Sequence, residues 1–346
     1  MPADQDFDIR VAEPADEPAL AALEQAAPDG GQVAVRLQPR LGYLDLAGRY
    51  PGVTGFIAVA PGERGIVGML FSSVAPTQLN GTVVPGAYLF SLRVHPTVRR
   101  RGVATALIGH ALDRARGAAG IEVAWAAVMS GNEPSVQTFS RAGFAPTRDL
   151  TLRIRLPGCL RPRGDPAWRL RWASDSDLPA LAEALNRANV GHNLWRPCTP
   201  SSLAAQLGAA AHSLADVPLV VDRDGRILAA GAVLDVRRAF TPRSIELRDM
   251  PRLLSRALSP VAKRVPLHPL LLRQRAVSEA HLEAGHFLLR SIQDFQSAWL
   301  SVLVAPIDPV DPAWPTIARA TQLGRPLHVM IRSTAQLDER RPLALT

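Results

Sequence analysis

A cluster of positive charge stands directly before a lone glycine, because Arg99–Arg101 precede Gly102. An amphipathic pattern typical of a helix begins at that glycine. The first turn of a helix presents unpaired backbone N–H groups and the positive end of the helix dipole. Gly102 lets the backbone approach a ligand without a Cβ, Ala104 keeps the first turn slim, and Thr105 offers a hydroxyl. These residue types in this order predict a cradle for a diphosphate group.

Alternating strands and helices position this loop. The apolar run Ala87–Val94 predicts a strand buried on both faces that leads into the loop. The helix after the loop runs to about Arg116, and Ile121–Met129 predicts the next strand. A short helix with Pro134 in its first turn follows over Asn132–Phe144.

The sequence before the loop begins the same kind of alternation. Phe7–Pro14 predicts a strand and Ala15–Ala27 a helix, whereas Gln32–Tyr50 is less clear and is expected to include a helix. Two β-rich runs around a Pro-Gly turn predict a hairpin over Gly55–Val74. A last strand is expected over Thr147–Leu156.

At Arg99-x-x-Gly102-x-Ala104 the sequence resembles the R/Q-x-x-G-x-G/A signature of the GCN5-related N-acetyltransferase (GNAT) superfamily. The strand before the motif, the helix after it, and the later strand and "N…GF" segment follow this family's order. Within the superfamily, "AYLFSLRVHPTVRRRG" and "NEPSVQTFSRAGF" are similar to the plant Hookless-type acetyltransferases. The resemblance implies a catalytic GNAT domain over residues 1–156.

The resemblance also implies a reaction and a binding site. The strands on either side of the loop–helix unit splay apart, acetyl-CoA enters the gap, and an acceptor amine attacks the thioester directly. A strand N–H near Leu92 would stabilise the oxyanion. The residues expected to bind acetyl-CoA are Leu92, Arg93, Val94, Arg99, Arg100, Arg101, Gly102, Val103, Ala104, Thr105, Asn132 and Phe139.

The sequence departs from the family pattern at the acid and the base. Tyr88 stands where histone-acetylating members carry a glutamate base, and Phe139 stands where many members place a tyrosine that protonates the thiolate. Tyr88 and Glu122 are therefore the first catalytic candidates. Tyr43, Tyr50 and water remain alternatives.

The second half repeats the outline of the first. A Pro/Gly-rich linker over residues 157–167 separates residues 1–156 from residues 168–346. The fold class expected is α/β (α+β): two tandem GNAT-like domains, each a mixed, mostly antiparallel twisted sheet flanked by helices. This arrangement also resembles mycothiol synthase, in which the C-terminal copy is the active one. Here Glu279 and Glu283 replace the arginines and would repel a diphosphate. We therefore expect a degenerate second copy that covers the acceptor side or mediates a homodimer.

Composition places limits on the class of protein. With 346 residues, 47% hydrophobic and 20% charged, the chain is typical of a globular protein with two domains. The N-terminus lacks a signal-like apolar core, and no apolar run is long enough for a membrane helix, so a cytoplasmic protein is expected. Cys159 and Cys198 lie far apart without CxxC spacing, which predicts neither a disulfide framework nor a metal site.

Two other functions stay open. A non-catalytic acyl-CoA sensor would explain the two missing acid–base groups. A nucleic-acid-associated protein would use the basic stretch Arg237–Arg275, although this stretch has a single aromatic residue and no recognised binding motif. No motif identifies the acceptor amine.

Overall fold

The computed structural model describes residues 7–27, 33–62, 65–155, 164–209, 212–235, 238, 240–247, 268–277, 279–295, 301–313, 315 and 323–345. The strands of the first half are β1 Asp8–Val11, β2 Val33–Pro39, β3 Val53–Val59, β4 Ile66–Leu79, β5 Thr82–Val94, β6 Val123–Met129 and β7 Ala145–Arg155. Its helices are α1 Glu17–Ala26, α2 Tyr43–Ala47, α3 Val103–Ala119 and α4 Glu133–Arg141.

The second half repeats this alternation of elements. Its strands are β8 Arg169–Trp172, β9 Pro218–Val221, β10 Ile227–Asp235, β11 Phe240–Leu247, β12 His268–Val277, β13 Ser301–Ile307 and β14 Leu323–Ser333. Its helices are α5 Leu178–Ala188, α6 Pro200–Ala209 and α7 Leu282–Phe295. The predicted linker falls mostly on residues 156–163, which lie outside the described residues, as does much of the basic stretch Arg237–Arg275.

One twisted sheet runs through both halves. Among the described strands its order is β1-β3-β4-β5-β6-β14-β7-β13-β12-β10-β9-β8. The pairs β5–β6 and β12–β13 are parallel, and the other described pairs of this sheet are antiparallel. Each half therefore contains one parallel junction within a mostly antiparallel sheet, which is the mixed sheet expected from the sequence.

The halves exchange their last strands. Strand β14, from the end of the chain, lies between β6 and β7 and pairs with both in antiparallel register. Strand β7 in turn pairs with β13 of the second half. The two GNAT-like units therefore share one continuous hydrogen-bonded sheet.

Helices cover both faces of the first half's sheet. Helix α3 carries Leu107, Ile108 and Ala111 at helical spacing, and these side chains are buried against the sheet with Ala87 and Leu89 of β5. On the opposite face, the side chains that α1 and α2 bury pack against β3 and β4. The sheet is thus buried on both sides where β5 passes through it.

The region Gln32–Tyr50 contains the expected helix, α2, and also a strand that the sequence does not signal. Strand β2 pairs with β11 of the second half, in a two-stranded sheet of its own. Its partner lies about two hundred positions away along the chain, and local sequence patterns do not report pairing over such a separation.

A repeated ion pair marks the start of both halves. Arg10 donates two hydrogen bonds of 2.7 Å to the carboxylate of Asp16, just before α1. Arg171 donates two of 2.7 and 2.6 Å to Asp177, just before α5. In each case the guanidinium holds the pKa of the aspartate below its ordinary value. Each aspartate also accepts a hydrogen bond from a backbone N–H at the start of its helical segment.

Candidate functional site

The arginine-rich loop forms a tight turn at the N-terminus of α3. Gly102 is the N-cap residue and has φ +82°, a left-handed conformation that favours glycine. Arg100 also lies in the left-handed region, with φ +64°. No side chain caps the helix at Gly102. The N–H groups of Val103 to Thr105 therefore have no partner within the helix and can donate to an anion.

A cavity of about 1060 Å³ opens in front of this loop. The predicted coenzyme residues that line it are Leu92, Arg93, Val94, Arg99, Arg100, Gly102, Val103, Ala104, Thr105 and Asn132. The end of α1 and the exposed side of α4 also contribute to the wall, through residues such as Ala26, Ala27, Ser135 and Thr138. The structure thus brings the arginine-rich loop, strand β5 and helices α1 and α4 together around one cavity.

Strands β5 and β6 form a fork beside this cavity. They pair only from Gly86–Val123 to Tyr88–Trp125, although both strands continue beyond that point. Beyond Tyr88 the two strands diverge. A bulge near Ser91, whose φ is +53°, shifts the register between β4 and β5. Bulges of this kind re-aim the backbone and are common next to active sites.

Charge in the cavity is mostly positive. Arg99, Arg100 and Arg141 line it and are exposed, against one acidic residue, Glu133. Arg93 contributes through its backbone, because its guanidinium is held by Glu24 at 2.9 and 3.1 Å, with both side chains largely buried. The cavity therefore favours an anionic ligand.

Two predicted coenzyme residues do not line the cavity. Arg101 is exposed and points elsewhere, whereas Phe139 is 3% exposed and packs edge-on against Phe144 with ring centroids 5.2 Å apart. The sequence contains the signal for this burial, since Val136, Phe139 and Phe144 form an apolar group at the end of α4. Asn132 lines the cavity and caps α4, with its Oδ1 accepting from the Ser135 N–H at 3.4 Å.

The catalytic candidates lie at opposite ends of the strand pair. Tyr88 is half-buried at the point of divergence and stacks on Trp125, with ring centroids 5.7 Å apart. Glu122 is exposed before the start of β6, at the closed end of the pair, where its N–H donates to the Pro85 carbonyl. Tyr50 and Tyr43 are the alternative proton-transfer residues. The ring centroid of Tyr50 lies 5.4 Å from that of Tyr88, and Tyr43 is buried on α2. The position of Tyr88 at the open end of the fork therefore favours it over Glu122 as the proton-transfer residue.

The second half contains a similar fork with different flanking residues. Strands β12 and β13 pair in parallel from His268–Ser301 to Leu271–Val304, and β12 then continues to Val277 paired with β10 but no longer with β13. A single helical turn that begins at Glu279 follows, before α7. Acidic residues thus stand where the first half has its arginine-rich loop.

The described residues contain neither a three-residue metal-binding group nor a membrane-spanning helix. Within these ranges no group of three His, Cys, Asp or Glu side chains is arranged to hold a metal ion. None of the helices described here has the length and apolar character needed to cross a membrane.

Comparisons with known proteins give a family match within the first half and a likeness of fold over the chain. Residues 21–144 match the acetyltransferase (GNAT) family. A search of curated proteins returned no match. A GCN5-related N-acetyltransferase from Sphaerobacter thermophilus is 16% identical with a TM-score of 0.60, over 100% of this chain and 99% of that one.

Two further solved structures extend the likeness over nearly the whole chain. Saccharomyces cerevisiae N-myristoyltransferase with bound myristoyl-CoA is 12% identical with a TM-score of 0.67, over 100% of this chain and 86% of that one. A tandem GNAT protein from the clavulanic acid biosynthesis pathway is 13% identical with a TM-score of 0.58, over 96% and 100%. At these identities the likeness shows the fold, which is that of a tandem GNAT protein.

Proposed function

We propose that this chain, which carries a domain of the acetyltransferase (GNAT) family, transfers an acetyl group from acetyl-CoA to a primary amine. The observation that carries the proposal is the cationic cavity at the open end of the β5–β6 fork. It joins an anion-binding helix start to a strand edge that diverges from its neighbour. These are the two features needed to hold a diphosphate and an extended thioester arm together.

In this proposal the diphosphate lies on the backbone N–H groups of Arg100 to Thr105, with Arg99 and Arg100 supplying formal charge. The pantetheine arm pairs with the backbone of Leu92, Arg93 and Val94. The bulge near Ser91 supports this assignment, because an irregular strand directs N–H groups away from the neighbouring strand. One of these N–H groups would donate to the oxyanion that forms on the thioester carbonyl.

The reaction itself is a direct transfer. The neutral amine nitrogen attacks the thioester carbonyl carbon, a new C–N bond forms, the C–S bond breaks, and the amine loses a proton while the coenzyme thiolate gains one. Tyr88 is the proposed proton-transfer group, since it lies where the two strands separate. A buried Phe139 supplies no acid, so water at the exposed mouth of the cavity must protonate the thiolate.

We propose that the second half is a degenerate copy that binds no coenzyme and supports the acceptor side of the first. Glu279 and Glu283 at the corresponding helix start support this assignment, because carboxylates there repel a diphosphate. The exchange of β7 and β14 also joins the halves into one unit.

Calorimetry with acetyl-CoA, followed by thiol release with a panel of primary amines, tests the proposal. We expect one acetyl-CoA per chain and amine-dependent release of free thiol. In parallel, Arg99→Gln should weaken binding, whereas Arg101→Gln is the matched control because it keeps the backbone N–H and changes a side chain that does not line the cavity. Tight binding without turnover of any amine would favour the non-catalytic sensor, and absence of binding would refute both functions.

A further inference from the structure

An aromatic group lies on the face of the fork opposite to α3. Along β5, Ala87 and Leu89 pack into the core under α3, so the alternating residues Tyr88 and Phe90 point to the other face. There the centroid of the Tyr50 ring lies 5.4 Å from that of the Tyr88 ring and 4.5 Å from that of the Phe90 ring. Since the proposed function places acetyl-CoA on the α3 side, this second face is the one left for an acceptor.

Arg49 places a guanidinium on this aromatic group. Its Cζ lies 5.0 Å from the centroid of the Tyr50 ring, in cation–π geometry. The side chain is half-buried, and its Nε is fully buried with no hydrogen-bond partner among the described residues. A buried guanidinium N–H without a partner is costly unless a ligand satisfies it.

Arg196, from the second half, adds another positive charge to the same face. Its Nη1 and Nη2 donate to the Oγ and the carbonyl oxygen of Ser73 at 2.6 and 2.7 Å. Its Cζ lies 4.7 Å from the centroid of the Trp125 ring. Ser73 of β4 and Trp125 of β6 are the residues that pair with Tyr88 on its two sides. Because Arg196 contacts both of them, its guanidinium lies beside Tyr88.

Three carboxylates of the first half, those of Glu17, Glu24 and Asp45, make other contacts or face solvent. Glu17 is occupied at the start of α2, where it accepts from the N–H groups of Tyr43 and Leu44 at 2.6 and 2.7 Å. Glu24 is paired with Arg93 on the cavity side. Asp45, on α2, is exposed to solvent.

We propose that the acceptor amine carries a carboxylate, and that Arg49 is the residue that binds it. The proposal rests on the proposed acetyl transfer and specifies its acceptor class: amino acids or peptides rather than simple alkyl amines. A carboxylate would bind the half-buried guanidinium of Arg49 through a charge-assisted hydrogen bond. The Arg49 guanidinium would also disfavour the ammonium form of the acceptor, which must lose its proton before it attacks.

Matched acceptor pairs test this proposal: phenylalanine against 2-phenylethylamine, and alanine against ethylamine, each with acetyl-CoA and thiol release as the readout. We expect the amino acid to exceed its amine by about tenfold or more in kcat/KM, as a charge-assisted contact implies. Arg49→Gln should abolish that preference while the slower amine reaction persists. Arg49→Lys should restore part of it, and Arg114→Gln, which removes an exposed arginine on α3, should leave it unchanged.

The outcomes separate this inference from the proposed function. Equal or faster acetylation of the amines without a carboxylate would overturn the acceptor assignment and leave acetyl transfer intact. A preference that survives Arg49→Gln would overturn the role of Arg49. Absence of thiol release with every acceptor would instead contradict the proposed function on which the inference rests. Acetyl-CoA affinity and the circular-dichroism melting curve of Arg49→Gln show that the variant is folded.

Discussion

Replacing Gly102 with alanine separates the backbone strain of the loop from its effect on the coenzyme. An ideal Cβ at this position meets no heavy atom within 4 Å, so the free protein gains no steric clash. The φ of +82° remains, and a left-handed conformation costs a residue with a Cβ about 1–2 kcal/mol. We therefore expect Gly102→Ala to lower the free energy of unfolding by about that amount.

The same substitution should lower the affinity for acetyl-CoA by more than it lowers the free energy of unfolding. The new Cβ sits on the wall of the cavity, beside the N–H groups that would hold the diphosphate. Loss of one charge-assisted hydrogen bond costs about 1.5–3 kcal/mol, which corresponds to a rise of about 10- to 100-fold in Kd. Titration calorimetry with acetyl-CoA measures this change, and urea denaturation measures the stability.

Gly120 provides a matched control at the other end of the same helix. It has φ +59°, caps the C-terminus of α3, and also has no heavy atom within 4 Å of an ideal Cβ. Gly120→Ala should therefore lose comparable stability and keep the affinity for acetyl-CoA unchanged. The cradle would be refuted if both variants bound acetyl-CoA as tightly as the wild type.

Three further predictions concern single side chains. Tyr88→Phe should lower kcat by about 100-fold or more and flatten its pH profile, whereas Tyr43→Phe, at the alternative tyrosine that is buried on α2, should leave kcat unchanged; an unchanged kcat of Tyr88→Phe across pH would remove Tyr88 from the mechanism. Asp177→Asn should cost about 1 kcal/mol of unfolding free energy at pH 7. Because Arg171 lowers the pKa of folded Asp177, this difference should shrink as the pH falls below ~4, and urea titrations at several pH values measure it. Burial raises the pKa of the Cys198 thiol to about 11, so peptide mapping after iodoacetamide at pH 8 should find it modified only in the denatured protein; modification of native Cys198 would contradict this.

The loop was predictable because its signals are local, whereas the fork was implied by the family resemblance. Arg99–Arg101 before Gly102 encode an anion site within a few residues, and the strand–loop–helix pattern fixes its place in the sheet. The cavity brings Leu92 and Asn132 to the same loop, as the motif order predicts.

The features of the fold and site that the sequence did not predict depend on contacts between segments far apart in the chain. Phe139 was expected at the coenzyme, but the packing of α4 against the core decides which side of that helix faces the cavity. Strand β2 has its partner in the second half, and β14 has both of its partners in the first. The positions of Arg49 and Arg196 on one aromatic group likewise follow from the tertiary fold.

The position of β14 has a consequence for how the chain reaches its native state. Residues 323–333 fill the gap between β6 and β7, so the sheet around the fork stays incomplete until this segment has left the ribosome. Closing contacts over so long a separation is slow, and exposed strand edges invite aggregation in the meantime. A nascent chain truncated before β14 therefore leaves β6 and β7 with unpaired edges, and we expect such fragments to depend on chaperones.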